Sequence, residues 1–422
     1  MATADAEAAF DQEVEANLKR NYAAHLCHGL LGQTGMRLVN APTFLPSYVA
    51  LLAGSDAVVG IARGLQYFGM FLSPIVGATW VESRRRVLPL GFLVGGLMRV
   101  AILGMALGGL LLPEPWPLIT VMVCLAGFGL FLGVQGVIFN FLVSKVIPVR
   151  LRGRLMGLRN ALASLTASGV AWYAGNELVA PNVLGNGYAA TFLLAFVLTS
   201  VGLAMLLFVR EPRSTQVKEA SKLTTRLREL PVLLRSDRAF TRYFMARALA
   251  TIGRMAVPFY VLFAQTRIEI TGARLGSLSA AFIGAQGFGN LCWGVAADRT
   301  GFRAVFLAAL SLWVLAVIVL MEATTDMELI FVFGGLGLGM GGFQMSAQNL
   351  VLEFGSRENL PMRIAVANSA SELVGAMGAV LGGILSVAFG YTALFWIAIA
   401  CQIAALLIVA FAVDEPRRRS SL

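Results

Sequence analysis

Charged residues are scarce in this sequence of 422 residues, because Asp, Glu, Lys and Arg together make up only 13%. Soluble domains carry about 25% charged residues, so the composition excludes an ordinary soluble domain. Hydrophobic residues make up 58%, and long apolar runs recur along most of the chain. Each run is long enough to cross a hydrocarbon core of roughly 30 Å as a helix, which satisfies its own backbone groups in lipid. The composition therefore predicts an all-α polytopic membrane protein.

Cysteine and histidine are also rare. The absence of a CxxC pair argues against a disulfide framework. The four cysteines lie in separate apolar segments, at Cys27, Cys124, Cys292 and Cys401. His25 and His28 are three residues apart and could share a helix face, but no carboxylate or second cysteine pair completes a ligand set. We therefore predict no metal site.

Signatures of enzymes and of nucleic-acid binding are missing as well. The glycine run GFGLFLG, which begins at Gly127, lies inside an apolar segment with no preceding strand and is not a nucleotide loop. We therefore predict neither an enzyme nor a cofactor. The net charge is +10, but most basic residues fall in loops on one side, so no nucleic-acid partner is predicted. Residues 1–18 are acidic and alanine-rich, so we expect no cleavable signal peptide.

Twelve spans are predicted, in two groups of six. They cover residues 21–53, 57–80, 87–112, 116–144, 154–180, 187–209, 241–266, 273–297, 302–321, 327–353, 362–388 and 391–413. This pattern predicts an N-terminal tail at 1–20, an N-terminal six-helix bundle at 21–209, a linker at 210–240 with a surface helix at 219–235, a C-terminal bundle at 241–413 and a tail at 414–422.

Lys and Arg are concentrated in the loops at one end of these spans. That end carries Arg84, Arg85 and Arg86, together with the basic linker, whereas the opposite loops hold only Arg267 and Arg274 beside several acidic residues. Basic loops stay in the cytoplasm. We therefore expect both termini to be cytoplasmic, and the protein to be a monomer in a plasma membrane such as the bacterial inner membrane.

The two groups of spans repeat each other. GFGLFLG at Gly127 matches GLGLGMG at Gly335, an offset of 208 residues, and the offset then becomes 209. At that offset Gln135 corresponds to Gln344, and Arg154 corresponds to Arg363. Such internal symmetry is typical of transporters, and it predicts two pseudo-symmetric bundles. The alternative is that the match between the two glycine runs arose by chance, because such runs are common in membrane helices.

The segment GVAADRTGFR, Gly294 to Arg303, lies between two spans. Its spacing, together with twelve spans and two related halves, resembles the major facilitator superfamily of membrane transporters. The resemblance implies two six-helix bundles around a central cavity that opens alternately to each side. It further implies that spans 1, 4, 7 and 10 line this cavity and that spans 2, 5, 8 and 11 form the interface.

The resemblance also implies a gate. Gly294 would let its helix end pack closely on a neighbour, and Gly301 would allow a tight turn. Asp298 presents a carboxylate suited to a helix N-terminus or an arginine, with Arg152, Arg154 or Arg363 as candidate partners, while Arg299 and Arg303 would anchor the turn. In the first half, Glu82 is the corresponding acid, one position late. The alternative is that these are ordinary loop charges that follow the positive-inside rule.

Charged residues within the spans indicate a site, because such residues are costly in lipid and face a cavity or a partner. Arg37 and Arg254 lie midway along spans 1 and 7 and are predicted to bind an anionic group. Amides on spans 4 and 10 are predicted to join them: Gln135, Asn140, Gln344 and Gln348. Glu372 would bind a proton or pair with an arginine, in a polar network with Arg159 and Asn368. The alternative is a buried network that only ties helices together.

Two further arginines are expected to have structural roles. Arg247 is expected to extend towards the cytoplasmic face, and Arg99 is expected to pair with a neighbouring helix. The sequence as a whole predicts a secondary active transporter of a small organic solute, anionic or zwitterionic, with a coupling proton or ion and the lipid bilayer as partners. A proton-coupled exporter of amphiphilic compounds, and a receptor or assembly factor of the same fold that does not transport, stay open as alternatives.

Overall fold

The computed structural model describes residues 2–213, 238–351 and 360–413, and these residues form helices, turns and loops without a strand. The surface helix predicted at 219–235 and the tail at 414–422 lie outside this range. Twelve spans can be traced in the described residues, and seven helical stretches among them have the length and hydropathy to cross a membrane on composition alone. The prediction of an all-α polytopic membrane protein is confirmed.

The N-terminal half contains spans 1 to 6, preceded by a helix at Ala2–Ala16 where a tail was predicted. Apolar runs of the lengths noted above define these helices. In order, the spans are Leu18–Asn40 with Phe44–Ala53, Asp56–Glu82, Leu88–Leu111, Trp116–Val146, Val149–Tyr173 continued by a π-helical segment at Ala174–Val179, and Gly187–Met205.

The C-terminal half contains spans 7 to 12. Spans 11 and 12 form one helical stretch that is bent at Gly390, where φ is 79°. In order, the spans are Arg238–Ile252 with Gly253–Phe259 and Tyr260–Arg267, Gly272–Thr300, Phe302–Glu322, Asp326–Leu350, and spans 11 and 12 within Leu360–Ala412.

Spans 1 and 7 are both interrupted near their middle. Span 1 leaves the helix after Asn40 and resumes at Phe44, with Pro42 in the gap. Span 7 passes through a 3₁₀ segment, Gly253–Phe259, which contains Pro258. Proline has no N–H to donate and clashes with the preceding turn, so it interrupts an α-helix. At the break in span 1, the carbonyl oxygens of Asn40 and Ala41 accept hydrogen bonds from Arg63 of span 2.

The two halves meet closely at the end of the bundle opposite the linker. We call this the far end, where the loops at 112–115, 180–186 and 323–325 lie, and the other the linker end, where residues 20, 210 and 413 lie. Spans 2 and 11 touch at the far end, because a methyl group added to Gly383 would lie 2.9 Å from the carbonyl oxygen of Asp56. Spans 5 and 8 touch there as well, because a methyl group on Gly276 would lie 2.8 Å from the Cα atom of Gly175. The far end is therefore closed.

The linker end of the N-terminal half is fastened by one buried carboxylate. Glu211 accepts hydrogen bonds from the backbone N–H groups of Val87 and Leu88 and forms a 2.8 Å ion pair with Lys145. Both side chains of the pair are almost fully buried. This arrangement ties the end of span 6 to the start of span 3 and the end of span 4. Because Glu211 was assigned to the polar linker, the sequence did not predict it.

Candidate functional site

A central cavity of about 340 Å³ lies between the two halves near the middle of the bundle. Six spans contribute most of its wall, and the breaks in spans 1 and 7 both border it, through Pro42 and Val257. Its polar and charged lining residues come from both halves: Arg37, Asn40, Arg63, Gln66, Tyr67, Arg247, Thr251, Arg254, Gln286, Gln344, Gln348, Ser371 and Glu372.

Arg254 is the charged residue at the middle of span 7. Its guanidinium carbon lies 4.6 Å from the centre of the Tyr67 ring, in a cation–π arrangement with span 2. Its Nε atom is buried without a hydrogen-bond partner among the described residues. Glu372 on span 11 lines the same cavity, and its Oε2 atom is likewise buried without a described partner. The site therefore holds both a cation and an anion with unused hydrogen-bonding capacity.

Arg37 bridges the two halves across the cavity. Its Nη1 atom donates a 3.1 Å hydrogen bond to Oε1 of Gln286 on span 8. The structure thus brings five predicted site residues to the central cavity: Arg37, Arg254, Gln344, Gln348 and Glu372.

Arg247 was expected to extend towards the cytoplasmic face, and this prediction was wrong. Its side chain is buried, lines the central cavity and donates a 2.9 Å hydrogen bond to Oδ1 of Asn368. Span 7 begins at Arg238, earlier than predicted, which places Arg247 deeper in the bundle. The predicted polar residue Asn368 is therefore a neighbour of the cavity through Arg247.

Arg63 and Gln66 were missed as site residues. The Nη2 atom of Arg63 donates hydrogen bonds to the carbonyl oxygens of Asn40 and Ala41, at 3.2 Å and 2.8 Å, and its Nη1 atom donates to Gln66. These carbonyl groups are available because the helix of span 1 ends beside Pro42. The proline was the only sequence signal that could have indicated a partner for a buried arginine.

A second cavity of about 360 Å³ lies mainly in the N-terminal half, between spans 1, 3, 4 and 5. It adjoins the central cavity, because Arg37, Asn40, Leu132 and Gln286 line both. We call it the side chamber and define it by the lining residues His28, Arg99, Gln135, Phe139 and Arg159. Arg99 donates to the carbonyl oxygen of Thr199 at 2.7 Å, which agrees with the expected pairing to a neighbouring helix.

Three predicted site residues lie away from the central cavity. Gln135 and Arg159 line the side chamber, and Asn140 is exposed and lines neither cavity. Arg159 is therefore placed with Arg99, whereas Asn368 contacts Arg247 of the central cavity. The two positions correspond at the repeat offset but serve different cavities.

The segment from Gly294 to Arg303 forms the end of span 8 and the turn into span 9. Gly301 has a φ of 85°, a conformation that favours glycine, so the predicted tight turn is present. Arg303 donates to the carbonyl oxygens of Val409 and Ala410 on span 12, at 3.1 Å and 2.7 Å. No described atom would lie within 4 Å of a methyl group on Gly294, so the expected close packing at that glycine is absent here.

The gate itself stays a prediction. Asp298 and Arg299 are exposed near the end of span 8. Arg152, one candidate partner of Asp298, donates to the carbonyl oxygens of Ile147 and Ser144. The side chains of Glu82 and Arg363 lie outside the described residues.

The described residues contain no group of three or more His, Cys, Asp or Glu side chains that could hold a metal ion. His25 and His28 instead pack beside the Phe139 ring, each at 5.6 Å between ring centres. His28 also bonds through Nδ1 to the carbonyl oxygen of Gly202, at 2.9 Å. The pair thus belongs to the packing of the N-terminal half.

Solved structures share this architecture at low sequence identity. A mutant of the nucleoside transporter NupG aligns with a TM-score of 0.70 at 11% identity, covering 92% of this chain and 99% of that chain. The D-xylose–proton symporter aligns at 0.73 and 13%, covering 95% and 99%. A bacterial homolog of the human lysosomal transporter Spinster aligns at 0.65 and 12%, covering 96% of each.

The sequence itself also carries a family signal. Among curated proteins compared by sequence, none matches the chain. A family profile described as Major Facilitator Superfamily matches residues 30–265 and 243–422, which together cover nearly the whole chain. The resemblance expected from GVAADRTGFR is therefore confirmed: the chain belongs to the Major Facilitator Superfamily.

Proposed function

We propose that the protein is a secondary active transporter that moves a small organic anion or zwitterion by alternating access. The observation that carries this proposal is the central cavity between the two halves, which four arginines and one carboxylate line. Similar solved structures include a nucleoside transporter and a D-xylose–proton symporter, and this similarity supports transport as the function. The class of substrate is inferred from the residues that line the cavity.

The charge of the cavity favours an anionic group on the substrate. Arg37, Arg247 and Arg254 surround the space, and both Arg247 and Arg254 keep buried nitrogen atoms without described partners. Burial of an uncompensated charge is costly. A carboxylate or phosphate offers oxygen atoms that fit a guanidinium fork. The amides of Gln344 and Gln348 would then orient the rest of a polar solute.

Glu372 is our candidate for the coupling proton. It lines the same cavity as Arg254, and no ion pair within 4.0 Å joins it to a described cation. In this proposal Glu372 takes up the coupling proton and releases it as the substrate arrives and leaves. In this proposal Glu372→Gln keeps substrate binding but removes the dependence of uptake on the proton gradient.

Alternating access would open the two ends of the bundle in turn. The far end is closed by the contacts of spans 2 and 11 and of spans 5 and 8, so the transport cycle must open them. We propose that the linker end faces the cytoplasm, because the basic loops lie there. The segment Gly294–Arg303 would close the linker end in the opposite state.

Transport is tested by a thermal-shift screen of anions, amino acids, sugars and amphiphiles, because a ligand that binds the folded protein raises its unfolding midpoint. Each ligand found is then measured for uptake into proteoliposomes. We expect an anionic or zwitterionic solute to move, and Arg254→Gln to abolish its uptake. The matched control is Arg150→Gln, since Arg150 is exposed and pairs only with the exposed Glu15 among described residues. If no solute moves and no ligand shifts the midpoint, the proposal is wrong and a non-transporting receptor or assembly factor is favoured.

One observation favours an amphiphilic substrate as a second candidate. An apolar groove of about 470 Å³ runs between spans 2 and 11 and includes Phe68 and Leu373. These residues directly follow Tyr67 and Glu372 of the central cavity in the sequence. An amphiphile could place its apolar part in this groove. If Phe68→Ala weakens uptake as strongly as Arg254→Gln does, the amphiphile exporter replaces our first proposal.

A further inference from the structure

The side chamber contains positive charge that its own described wall does not neutralise. Arg37, Arg99 and Arg159 each contribute a guanidinium group, and the described lining contains no carboxylate. His28 cannot neutralise this charge, because an imidazole ring is neutral or positive; its Nδ1 atom donates to the carbonyl oxygen of Gly202 at 2.9 Å. The chamber therefore has the electrostatic character of an anion site.

The three arginines differ in how they are held. Arg99 donates to the carbonyl oxygens of Thr199 and Gly95, at 2.7 Å and 2.6 Å. Arg159 donates only a weak 3.5 Å bond, to the sulfur of Met156, and its Nε atom is buried without a described partner. Since Arg159 is only 8% exposed, neither solvent nor protein satisfies that atom.

The surrounding residues support Arg159 in its position. Its guanidinium carbon lies 4.0 Å from the centre of the Phe139 ring. Its side chain passes so close to Gly29 that a methyl group there would overlap it. Because Gly29 has no side chain, span 1 leaves space at this point for the long side chain of Arg159. An apolar side chain in the same space would avoid the cost of burying a charge without a partner.

We propose that the side chamber binds a small oxyanion, a carboxylate or phosphate group, between Arg159, Arg99 and Arg37. Guanidinium groups bind such oxygens through paired, charge-assisted hydrogen bonds. Arg99 and Arg159 line only the side chamber, whereas Arg37 lines both cavities. The site therefore adjoins the proposed transport cavity, but binding at Arg99 and Arg159 can be measured whether or not the protein transports a solute. The oxyanion is either a free ion or an acidic group of the transported solute.

The test uses full-length Arg254→Gln protein, in which an arginine of the central cavity is removed. Sodium phosphate or sodium succinate is titrated at constant ionic strength, balanced with sodium chloride, while the unfolding midpoint is followed. We expect at least one of these anions to raise the midpoint. Adding Arg159→Gln should weaken its apparent affinity by about tenfold or more, because charge-assisted hydrogen bonds are lost.

If neither anion raises the midpoint of the Arg254→Gln protein, or if Arg159→Gln leaves the affinity unchanged, the chamber is not an anion site. Should Arg159→Gln not fold, Arg159→Lys keeps the charge but loses the paired geometry, and an unchanged affinity in that variant also rejects the site. Competition between the anion and a transported solute would assign the chamber to the solute's acidic group, whereas independent binding would assign it to a free ion.

Discussion

The two halves of the molecule share a helix pattern but differ in what fills them. Arg99 lies eleven residues after Leu88, the first residue of span 3. Trp313 lies eleven residues after Phe302, the first residue of span 9. At this shared position the N-terminal half has a charged side chain facing a chamber, and the C-terminal half has a fully buried tryptophan.

The tryptophan belongs to an aromatic cluster. Trp313 donates from Nε1 to the hydroxyl group of Tyr260 at 3.0 Å, and its ring centre lies 5.7 Å from that of Phe343. Phe343 in turn packs against Phe306 at 5.4 Å. The comparison teaches that two halves with the same order of helices can have different interiors, a polar chamber in one and a packed aromatic core in the other.

The largest expected effect tests whether the aromatic cluster is a structural core. Trp313→Ala should lower the free energy of unfolding by about 3–5 kcal/mol, because it removes a large side chain and leaves a cavity. The change is measured as the shift of the unfolding midpoint in detergent. The matched control is Trp396→Ala, since Trp396 is 52% exposed. Equal shifts in both variants would contradict the contrast between the halves.

A smaller effect on the free energy of unfolding is expected at the linker end, where the two halves are stabilised by different contacts. The N-terminal half uses the buried Glu211, whereas the C-terminal half uses Arg303 on backbone carbonyls. Glu211→Gln should cost about 1.5–3 kcal/mol, the typical contribution of a hydrogen bond to a charged group. Glu15→Gln is the control, because its ion pair with Arg150 is exposed and such pairs contribute little. A loss no larger than that of the control would mean that Glu211 is not a structural fastener.

The smallest expected effect concerns two amides that correspond in the repeat. Gln344 lines the central cavity and Gln135 lines the side chamber. Gln344→Ala should weaken the apparent affinity for the transported solute by about 2- to 10-fold, the equivalent of one neutral hydrogen bond. Gln135→Ala should leave uptake of a solute that occupies only the central cavity unchanged. Concentration-dependent uptake in proteoliposomes measures both, and a larger effect at Gln135 would reverse the assignment of the two cavities.

The sequence predicted the spans well because the length of an apolar run is a strong signal that can be read locally. It also identified Arg37, Arg254 and Glu372, which the structure brings to one cavity, because a charge inside an apolar run is conspicuous. The turn at Gly301 was predictable for a similar reason, since glycine was expected to supply a backbone conformation that the structure confirms.

The remaining features depended on packing between distant segments. Arg247 was misplaced because a few residues at the start of span 7 decide how deep it lies. Arg63 required knowledge of where span 1 breaks, and Glu211 required contacts with residues more than sixty positions away. The side chamber exists only because four spans leave a space among them. No local pattern encodes such a space.

The break in span 1 has a mechanical consequence. Phe44–Ala53 is a short helix joined to the rest of its span by residues 41–43, which form a bend and a turn rather than a helix. A joint of this kind allows Phe44–Ala53 to tilt while Leu18–Asn40 keeps its position, as in hinge motions. Arg63 of span 2 donates to the carbonyl oxygens of Asn40 and Ala41 at that joint, so it ties the joint to span 2. Tilting of the short helix would strain these two hydrogen bonds and loosen a guanidinium group that already lines the central cavity.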